Sequence, residues 1–172
     1  MKHFVILLFG TLLTISCTDE KVTQHLSDIK VLQNKVDSSN VVFSGIDIEK
    51  IAEYRKNAES QMDFIEANYH DTTNFDNARY VDVYYANFKL MRKLMKNHSG
   101  VTSEITYTKS QLEKLYEDVK NGLVVDSLYS KYYSGEEKAT NAILESVATL
   151  KDWEGRSINR YNGMVNPIDS II

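Results

Sequence analysis

Three side chains suited to acid–base or metal chemistry lie close together on one predicted helix. Asp63, Glu66 and His70 are spaced by three and four residues, which brings them to one face of a helix. In helical bundles, carboxylate and histidine pairs at such spacings hold metal ions when a facing helix supplies further ligands. No second histidine has a comparable place on another predicted helix, so surface charges around a helix end explain these residues better. A hydrolase or metal-binding site without a recognised motif, near these three residues, is kept as the alternative function.

Recognised catalytic and metal-binding motifs are missing from the chain. The sequence contains no HExxH, CxxC, CxxCH or GxSxG pattern and no glycine-rich phosphate loop. Residues 71–82 have the length and the terminal acids of a calcium loop. However, Asp76 stands where the sharp turn needs glycine, and Phe75 occupies a ligand position. We therefore expect no enzyme activity, no catalytic residue, and neither a metal ion nor another cofactor.

Eleven tyrosines form the largest group of side chains suited to recognition. Tyrosine joins a large apolar ring to a polar hydroxyl, and this combination is found in cores, interfaces and binding grooves. We expect Tyr84 and Tyr132 to lie in the core. The neighbours of these two in the sequence are predicted to be at least partly exposed and are the candidate partner-binding residues: Tyr80, Tyr85, Tyr129 and Tyr133. Ordinary packing at the rim of the core is the other interpretation of these four residues.

The only cysteine, Cys17, follows a segment with the three parts of a secretory signal. Lys2 and His3 give a short positive start, residues 4–16 form an apolar run, and the small residue Ser16 ends it. Thirteen helical residues span about 20 Å, which is short of the ~20 residues needed to cross a bilayer core. A permanent membrane span is therefore not expected. One cysteine cannot form a disulfide within a monomer, and nothing would bury it at the junction with a polar segment.

The segment "LTISC", residues 13–17, resembles the lipobox that the bacterial lipoprotein signal peptidase recognises. In that family the cysteine thiol receives a diacylglyceryl group, the peptidase cuts before the cysteine, and the new amino terminus is acylated. The resemblance covers residues 1–17. It implies a cleaved signal peptide over residues 1–16, lipidation of Cys17, and attachment to the membrane through the acyl chains.

The residues after the cysteine carry information on localisation by the same resemblance. Thr18, rather than the aspartate associated with inner-membrane retention, follows Cys17, which implies a cell-envelope protein on the outer membrane. Asp19 and Glu20 resemble an acidic tag for transfer to the cell surface, or they belong to an ordinary solvated tether over residues 17–21. The sequence leaves the periplasmic and the surface face as alternatives.

Size and charge narrow the class of protein and of partner. Removal of the signal leaves 156 residues with 19 basic and 24 acidic side chains, since Lys2 is the only charged residue lost. The net charge of the mature chain is then −5. Such a chain is long enough for one domain with its own core. Mild acidity without a basic block argues against nucleic acid as a partner.

Helices should account for almost the whole mature chain. One proline and seven glycines are too few for the turns of an all-β domain. Apolar residues recur instead at spacings of three and four, the period of an amphipathic helix. Four to five such helices with short connections predict an all-α antiparallel bundle that forms a single domain over residues 22–172.

The start and stop signals predict the first three helices. The first covers residues 22–38 and lies either within the bundle or partly away from it. Asp47 is the expected N-cap of the second helix, which ends near residue 69. The third begins near Thr73 and ends at Gly100, which suits the left-handed position past a helix end. Its expected buried residues are Val81, Tyr84, Phe88, Met91 and Met95.

Two further helices are predicted beyond residue 100. Residues 101–107 are rich in β-branched side chains and are predicted as an extended connector. Thr108 caps a short fourth helix that closes at residues 121–122. One long helix follows Asp126, although a capping box at Ser134 allows a division into two. Its expected buried stripe consists of Leu128, Tyr132, Ala139, Ile143, Val147 and Leu150.

Two functional hypotheses follow from these observations. The first is a lipid-anchored binding or scaffold protein whose helical bundle presents a surface to another envelope protein or to an extracellular ligand. The second is an enzyme whose site is assembled from scattered carboxylates and His70. The lack of any catalytic constellation in the sequence favours the first hypothesis.

Overall fold

The described part of the chain consists of four α-helices, which confirms the predicted all-α class. The computed structural model describes the backbone of residues 16–68 and 75–172, and the side chains of residues 20–68 and 77–172. The helices are α1 (Ser16–Ser44), α2 (Ile48–Asn68), α3 (Phe75–Lys120) and α4 (Asp126–Asp169). Within these ranges, no helix has an apolar stretch long enough to span a membrane.

The two longest helices, α3 and α4, run antiparallel, and α1 lies along one half of them. At the start of α1, Lys21 Nζ lies 2.9 Å from Asp126 Oδ2. At its end, Lys151 Nζ donates to the Gly45 carbonyl oxygen at 3.0 Å. The first residues of α1 therefore meet the first residues of α4, so these two helices run in the same direction.

Helix α2 continues the course of α1 along the other half. Tyr54 Oη donates to Asn162 Oδ1 at 3.1 Å, and Gln61 Nε2 donates to Asp169 Oδ1 at 2.6 Å. Thus α2 also runs parallel to α4, while among the described residues α1 and α2 do not pack against each other. Any cross-section of the bundle contains three helices, and the 46 residues of α3 give it a length of about 70 Å. We call this assembly the rod, with a lower half built on α1 and an upper half built on α2.

The buried seam of α4 follows a period of 3.5 residues. From Thr140 to Tyr161 its buried positions recur at alternating spacings of three and four. This period is typical of left-handed coiled-coil packing. The buried residues of this stretch are Thr140, Ile143, Val147, Leu150, Glu154, Ser157 and Tyr161. Because several of these residues are polar, the buried face of α4 is not purely apolar.

Helix α3 continues through the segment that was predicted to interrupt it. Gly100 is not in the left-handed conformation, and the expected connector over residues 101–107 is helical. Val101 and Ile105 continue the buried seam, and Thr108 is buried in it rather than acting as a cap. The hydroxyls of this segment donate to carbonyl oxygens one turn earlier, as from Thr102 Oγ1 to the His98 oxygen at 3.0 Å. The prediction of a break was wrong because the continuous buried face of α3 outweighs the weak helix propensity of this segment.

Helix α1 is longer and more closely packed than predicted. It ends at Ser44 rather than within the polar residues 37–40, because Ser39 and Phe43 are buried against the long helices. It contacts both α3 and α4 along its length, so the alternative of a partly detached helix is not the arrangement found. The backbone of residues 17–21, expected as a tether, belongs to its first turns.

The turn between α1 and α2 is held by α4. The Lys50 backbone N–H donates to Asp47 Oδ1 at 2.9 Å, which confirms Asp47 as the N-cap of α2. Glu154, a buried carboxylate of α4, accepts the Asp47 backbone N–H at 2.6 Å. Its other oxygen lies 2.5 Å from Lys151 Nζ, which also bonds Gly45. The turn that separates α1 from α2 is therefore tied to α4, which continues past it without interruption.

Helix α4 is a single helix, as favoured from the sequence. It begins at Asp126 and passes through Ser134 without a break. The preceding turn is closed as predicted at residues 121–122, where Gly122 has a φ of 69°. Pro167 lies in the last turn of α4, so the backbone hydrogen bond that its missing N–H removes lies at the very end of the helix.

Candidate functional site: a groove between α2 and α3

A groove of about 510 Å³ lies between α2 and α3 in the upper half of the rod. Its floor is apolar and its rim carries charges, so it combines area for contact with groups that select a ligand. The apolar lining residues are Met62, Ile65, Val81 and Phe88. The polar lining residues are Glu59, Asp63, Glu66, Asp82, Tyr85 and Arg92.

Carboxylates dominate the rim of the groove. Asp63 and Glu66 are exposed on α2, and Asp82 is exposed on α3 across from them. Glu59 is engaged by Arg55 of its own helix, with Nη1 and Oε2 3.1 Å apart. Four carboxylates thus line the groove together with one guanidinium, and such a concave acidic wall attracts cations.

Tyr85 provides the accessible aromatic surface of the groove. Its side chain is 42% exposed, and its ring is nearly parallel to that of Phe88 at a centroid distance of 6.4 Å. Lys89 Nζ lies 4.1 Å from the centroid of the Tyr85 ring, and the Arg92 guanidinium carbon lies 5.8 Å from the centroid of Phe88. Both contacts are within the range of cation–π attraction. The aromatic pair therefore already accepts cations from its own helix.

The floor of the groove rests on a well-packed layer. Phe88 is 8% exposed, and Tyr84, one turn before it, is completely buried, as expected for both. The Tyr84 hydroxyl donates to Gln61 Oε1, and its ring lies 6.0 Å from that of Tyr161. Burial raises the pKa of Tyr84, with the nearby Tyr161 as a further cause, so its hydroxyl stays protonated. These residues fix α2 at the distance from α3 that leaves the groove open.

The structure divides the four candidate tyrosines between the two ends of the rod. Tyr80 and Tyr85 lie near the start of α3 in the upper half, and both are exposed. Tyr129 and Tyr133 lie near the start of α4 in the lower half. Because α3 and α4 are antiparallel, the two clusters do not meet on one face. Only Tyr85 of the four lines the groove.

Two tyrosine predictions at the start of α4 were wrong. Tyr129, expected to be exposed, is buried, and Tyr132, expected in the core, is 45% exposed. The Tyr129 ring stacks on the His25 ring at 3.5 Å, and its hydroxyl donates to the His25 carbonyl oxygen at 3.2 Å. Tyr133, half-buried, packs on Tyr129 at a ring distance of 5.6 Å. The phase was misjudged because the buried seam passes through Thr140 rather than Ala139.

The predicted carboxylate–histidine face is found only in part. Asp63 and Glu66 both line the groove, but His70 lies outside the described residues. Among the residues with described side chains, no group of three or more histidine, cysteine or acidic side chains is placed to hold a metal ion. The rejected calcium loop over residues 71–82 also begins outside the described range.

Cys17 is described only through its backbone, in the first turn of α1. Its side chain and residues 1–15 lie outside the description, so lipidation and the signal peptide stay predictions.

The sequence analysis missed Asp82 and Arg92 as residues of the site. Both lie on α3 with Tyr85 and Lys89, at spacings of three, four and three residues. This is a second stripe, parallel to the buried one, and its regular spacing is the signal that identifies it. The α2 residues that form the opposite wall of the groove could not be predicted, because the sequence does not show which helices are neighbours.

A second large groove is less suited to ligand selection. It lies between α3 and α4 near the middle of the rod, has a volume of about 640 Å³, and is lined by Trp153. Its charges are balanced between Lys93 and Lys96 on one side and Glu104 and Glu145 on the other. The α2–α3 groove has the stronger net charge, because its four carboxylates face one guanidinium.

Compared with protein-family models, with curated proteins and with solved structures, the chain matches none of them.

Proposed function

We propose that the protein is a lipid-anchored scaffold or binding protein of the cell envelope, which holds the α2–α3 groove away from the membrane. The observation that carries this proposal is the polarity of the rod: the predicted acylation site lies in the first turn of α1 at one end, and the groove lies in the other half. Along α3, the 36 residues from Tyr85 to Lys120 correspond to about 50 Å of helix. The rod therefore acts as a spacer as well as a support for the groove.

The anchor in this proposal is the acylated Cys17. A single acyl chain gives only marginal, reversible attachment, but the lipoprotein pathway adds three. At ~0.8 kcal/mol for each buried CH₂ group, three chains make the attachment effectively permanent. Localisation to the outer membrane follows from the same resemblance and belongs to the proposal.

The groove favours a partner that presents a cationic side chain beside an apolar or aromatic one. The carboxylates of Asp63, Glu66 and Asp82 would pair with the cation, and Tyr85 would pack on the apolar group. Such a pairing resembles the usual anatomy of protein interfaces, in which aromatic anchors lie within a polar rim. An exposed basic segment of another envelope protein is the partner class that fits this chemistry.

Mass spectrometry of the native protein tests the anchor directly. We expect a mature chain that begins at Cys17 and carries three acyl chains. The Cys17→Ser variant should lose lipid labelling and stay uncut, while the far-ultraviolet circular dichroism of its domain stays unchanged, since the first buried residue of α1 over residues 20–44 is Ile29. An unmodified Cys17, or a mature chain that begins at another residue, would refute the assignment.

Photo-crosslinking pull-down from the native envelope tests the groove. Tyr85→Ser and the double variant Asp63→Asn with Glu66→Gln should each reduce recovery of the partner by about fivefold or more, as for residues at the centre of an interface. Tyr107→Ser is the matched control, because Tyr107 is an exposed tyrosine of the same helix in the lower half. Equal recovery with Tyr85→Ser and Tyr107→Ser would remove the groove from the proposal and leave the anchor untouched.

A further inference from the structure

Four large apolar side chains are exposed together at the lower end of the rod. Leu123 is 72% exposed, Val125 is 58% exposed, and Leu128 and Tyr132 are each more than two-fifths exposed. They belong to the α3–α4 turn and the first two turns of α4. Val125, Leu128 and Tyr132 are spaced by three and four residues, which places them along one side of the helix start. We call these four residues the apolar tip.

The turn that carries Leu123 holds it out of the core. The Leu123 backbone N–H donates to the Asp118 oxygen at 2.8 Å, and the Gly122 N–H donates to the Val119 oxygen at 3.1 Å. With Gly122 at a φ of 69°, this is the hydrogen-bond pattern of a Schellman motif. In that motif the residue after the glycine commonly packs on the residue five positions before it, and both are apolar. Here that residue is Asp118, so Leu123 has the position of a packing residue but faces solvent.

The apolar tip lies beside the start of α1. Lys21 pairs with Asp126, which directly follows Val125 in the sequence, and the His25 ring stacks on Tyr129. Cys17 precedes Lys21 by four residues, about 6 Å of helix. Acyl chains on Cys17 would therefore enter the bilayer within a short distance of the tip.

We infer that the apolar tip is a second membrane contact, whose side chains enter the headgroup layer of the bilayer to which Cys17 is anchored. This inference rests on the proposed function, because acylation brings the tip to the lipid surface. Once anchored, the tip meets the bilayer at a high effective concentration, so a patch too small to bind membranes by itself is sufficient. The Tyr132 ring, at the upper edge of the patch, has the amphipathic chemistry that aromatic residues show at membrane interfaces.

The tip also determines how the rod stands on the membrane. An anchor at one point lets the bundle swivel in all directions, whereas a second contact on the α4 side restricts it. Because the exposed residues extend over about 10 Å of α4 from Val125 to Tyr132, contact along them leans the rod toward that side. The groove would then be presented at a defined height and direction.

Fluorescence quenching in vesicles tests this inference. Val125→Cys supplies the only free thiol of the acylated protein, and it is labelled with an environment-sensitive fluorophore after purification. The labelled full mature protein is reconstituted into phosphatidylethanolamine–phosphatidylglycerol vesicles with or without lipids that carry a nitroxide near the headgroup. Val41→Cys is the matched control, because Val41 is an exposed valine (74%, against 58% for Val125) about 36 Å further along α1 from Cys17.

Quenching of the label at position 125 by about twofold or more, with no quenching at position 41, supports the second contact, since interfacial burial of ~5–10 Å brings the label to the nitroxide. Leu128→Cys gives an independent label at the same patch and should behave like Val125→Cys. Absence of quenching at both sites, in a protein that floats with the vesicles and has an acylated Cys17, overturns the inference and leaves the anchor standing. Self-quenching between labels at position 125, without quenching by the lipids, would identify a second copy of the chain as the occupant and also overturns it. An unmodified Cys17 by mass spectrometry refutes the proposed function and with it this inference.

Discussion

The lower half buries large aliphatic residues of α1, whereas the upper half buries the small Ala58 between Ile51 and Ile65 of α2, together with tyrosines of the two long helices. Ile29, Leu32 and Val36 of α1 are all completely buried. In α2 the central buried position is the small Ala58, and the long helices fill the space near it with Tyr84 and Tyr161. Both halves have the same number of helices and the same directions, so the difference lies in the side chains alone.

One bundle architecture thus contains both a closely packed support and the groove proposed as a binding surface. Aliphatic side chains interlock closely, and in the lower half those of α1 fill the space against the two long helices. Large rings and buried hydrogen-bonding groups hold the helices of the upper half at defined distances, as Asn87 Nδ2 does by donating to the Ser157 carbonyl oxygen at 3.0 Å. The α2–α3 groove opens in this half.

Truncation of Phe88 should cause the largest change in the free energy of unfolding. Phe88→Ala removes a buried ring from the floor of the groove and should lower the free energy of unfolding by about 3–5 kcal/mol. Leu32→Ala, the comparison in the lower half, should cost about 2–5 kcal/mol. Urea denaturation of both variants measures the two losses. A loss below about 1 kcal/mol for Phe88→Ala would show that the upper half lacks a cooperative core.

Replacement of a buried hydroxyl should stabilise the lower half. In the described part of the chain, Thr140 Oγ1 is buried and has no hydrogen-bond partner. Thr140→Val keeps the shape of the side chain and removes the unsatisfied group, so we expect a gain of about 1 kcal/mol by urea denaturation. Ser157→Ala in the upper half removes a similar hydroxyl but leaves a small void, and its effect should be close to zero. A loss of stability in Thr140→Val would indicate that this hydroxyl has a partner.

Replacing one glycine in each half of the rod should change the free energy of unfolding by a smaller amount. Gly135 in the lower half and Gly163 in the upper half lie inside α4, with open space where a Cβ would be added. Each change to alanine should raise the free energy of unfolding by about 0.5–1 kcal/mol. Gly122→Ala should act in the opposite direction, because its φ of 69° disfavours any side chain. Thermal unfolding of the three variants gives the signs, and a stabilised Gly122→Ala would contradict the turn geometry.

The smallest expected effect concerns the junction between the two halves. His98 stacks on Phe43 at 4.3 Å near the end of α1, and burial lowers the pKa of His98 below its ordinary value of 6.5. The unfolded chain therefore takes up a proton before the folded one does as the pH falls through 6.5. Stability should be highest above this pH and should decline between it and the lower folded pKa.

Nuclear magnetic resonance titration of the His98 ring and urea denaturation on both sides of pH 6.5 measure this dependence. His98→Phe keeps an aromatic ring against Phe43 and removes the proton, so the part of the pH dependence that belongs to His98 should disappear. An unshifted His98 titration would mean that the junction is open to water.

Periodicity predicted the class of fold and most helix starts, because a helix that buries one face repeats its apolar residues over many turns. The N-cap at Asp47 and the helix end at Gly122 were also predicted correctly, since each depends on a local backbone geometry. The break predicted near Gly100 failed because the seam through Val101 and Ile105 is a property of the whole of α3. Local residue preferences carried less weight there than packing against two other helices.

The candidate site was less predictable than the fold. Asp63, Glu66 and Tyr85 were each singled out from the sequence, but for separate reasons and not as parts of one groove. Their combination depends on α2 lying antiparallel to the first half of α3, which the sequence of either helix does not specify. Buried polar residues such as Thr140 also make it difficult to predict from the sequence which face of a helix is buried. For this reason Tyr132 was predicted to be buried and Tyr129 to be exposed, which is the reverse of what the structure has.

The break between α1 and α2 has a mechanical consequence. A partner bound in the groove, as proposed, would pull on α2 and α3, whereas the anchor proposed at Cys17 would hold α1. Tension between the two points passes through the turn at Gly45–Asp47, which Lys151 and Glu154 tie to α4. The load is therefore shared as shear along the helices of the rod, so that many side-chain contacts resist it together. A three-residue turn between two short helices can in this way carry force without acting as the weak point of the molecule.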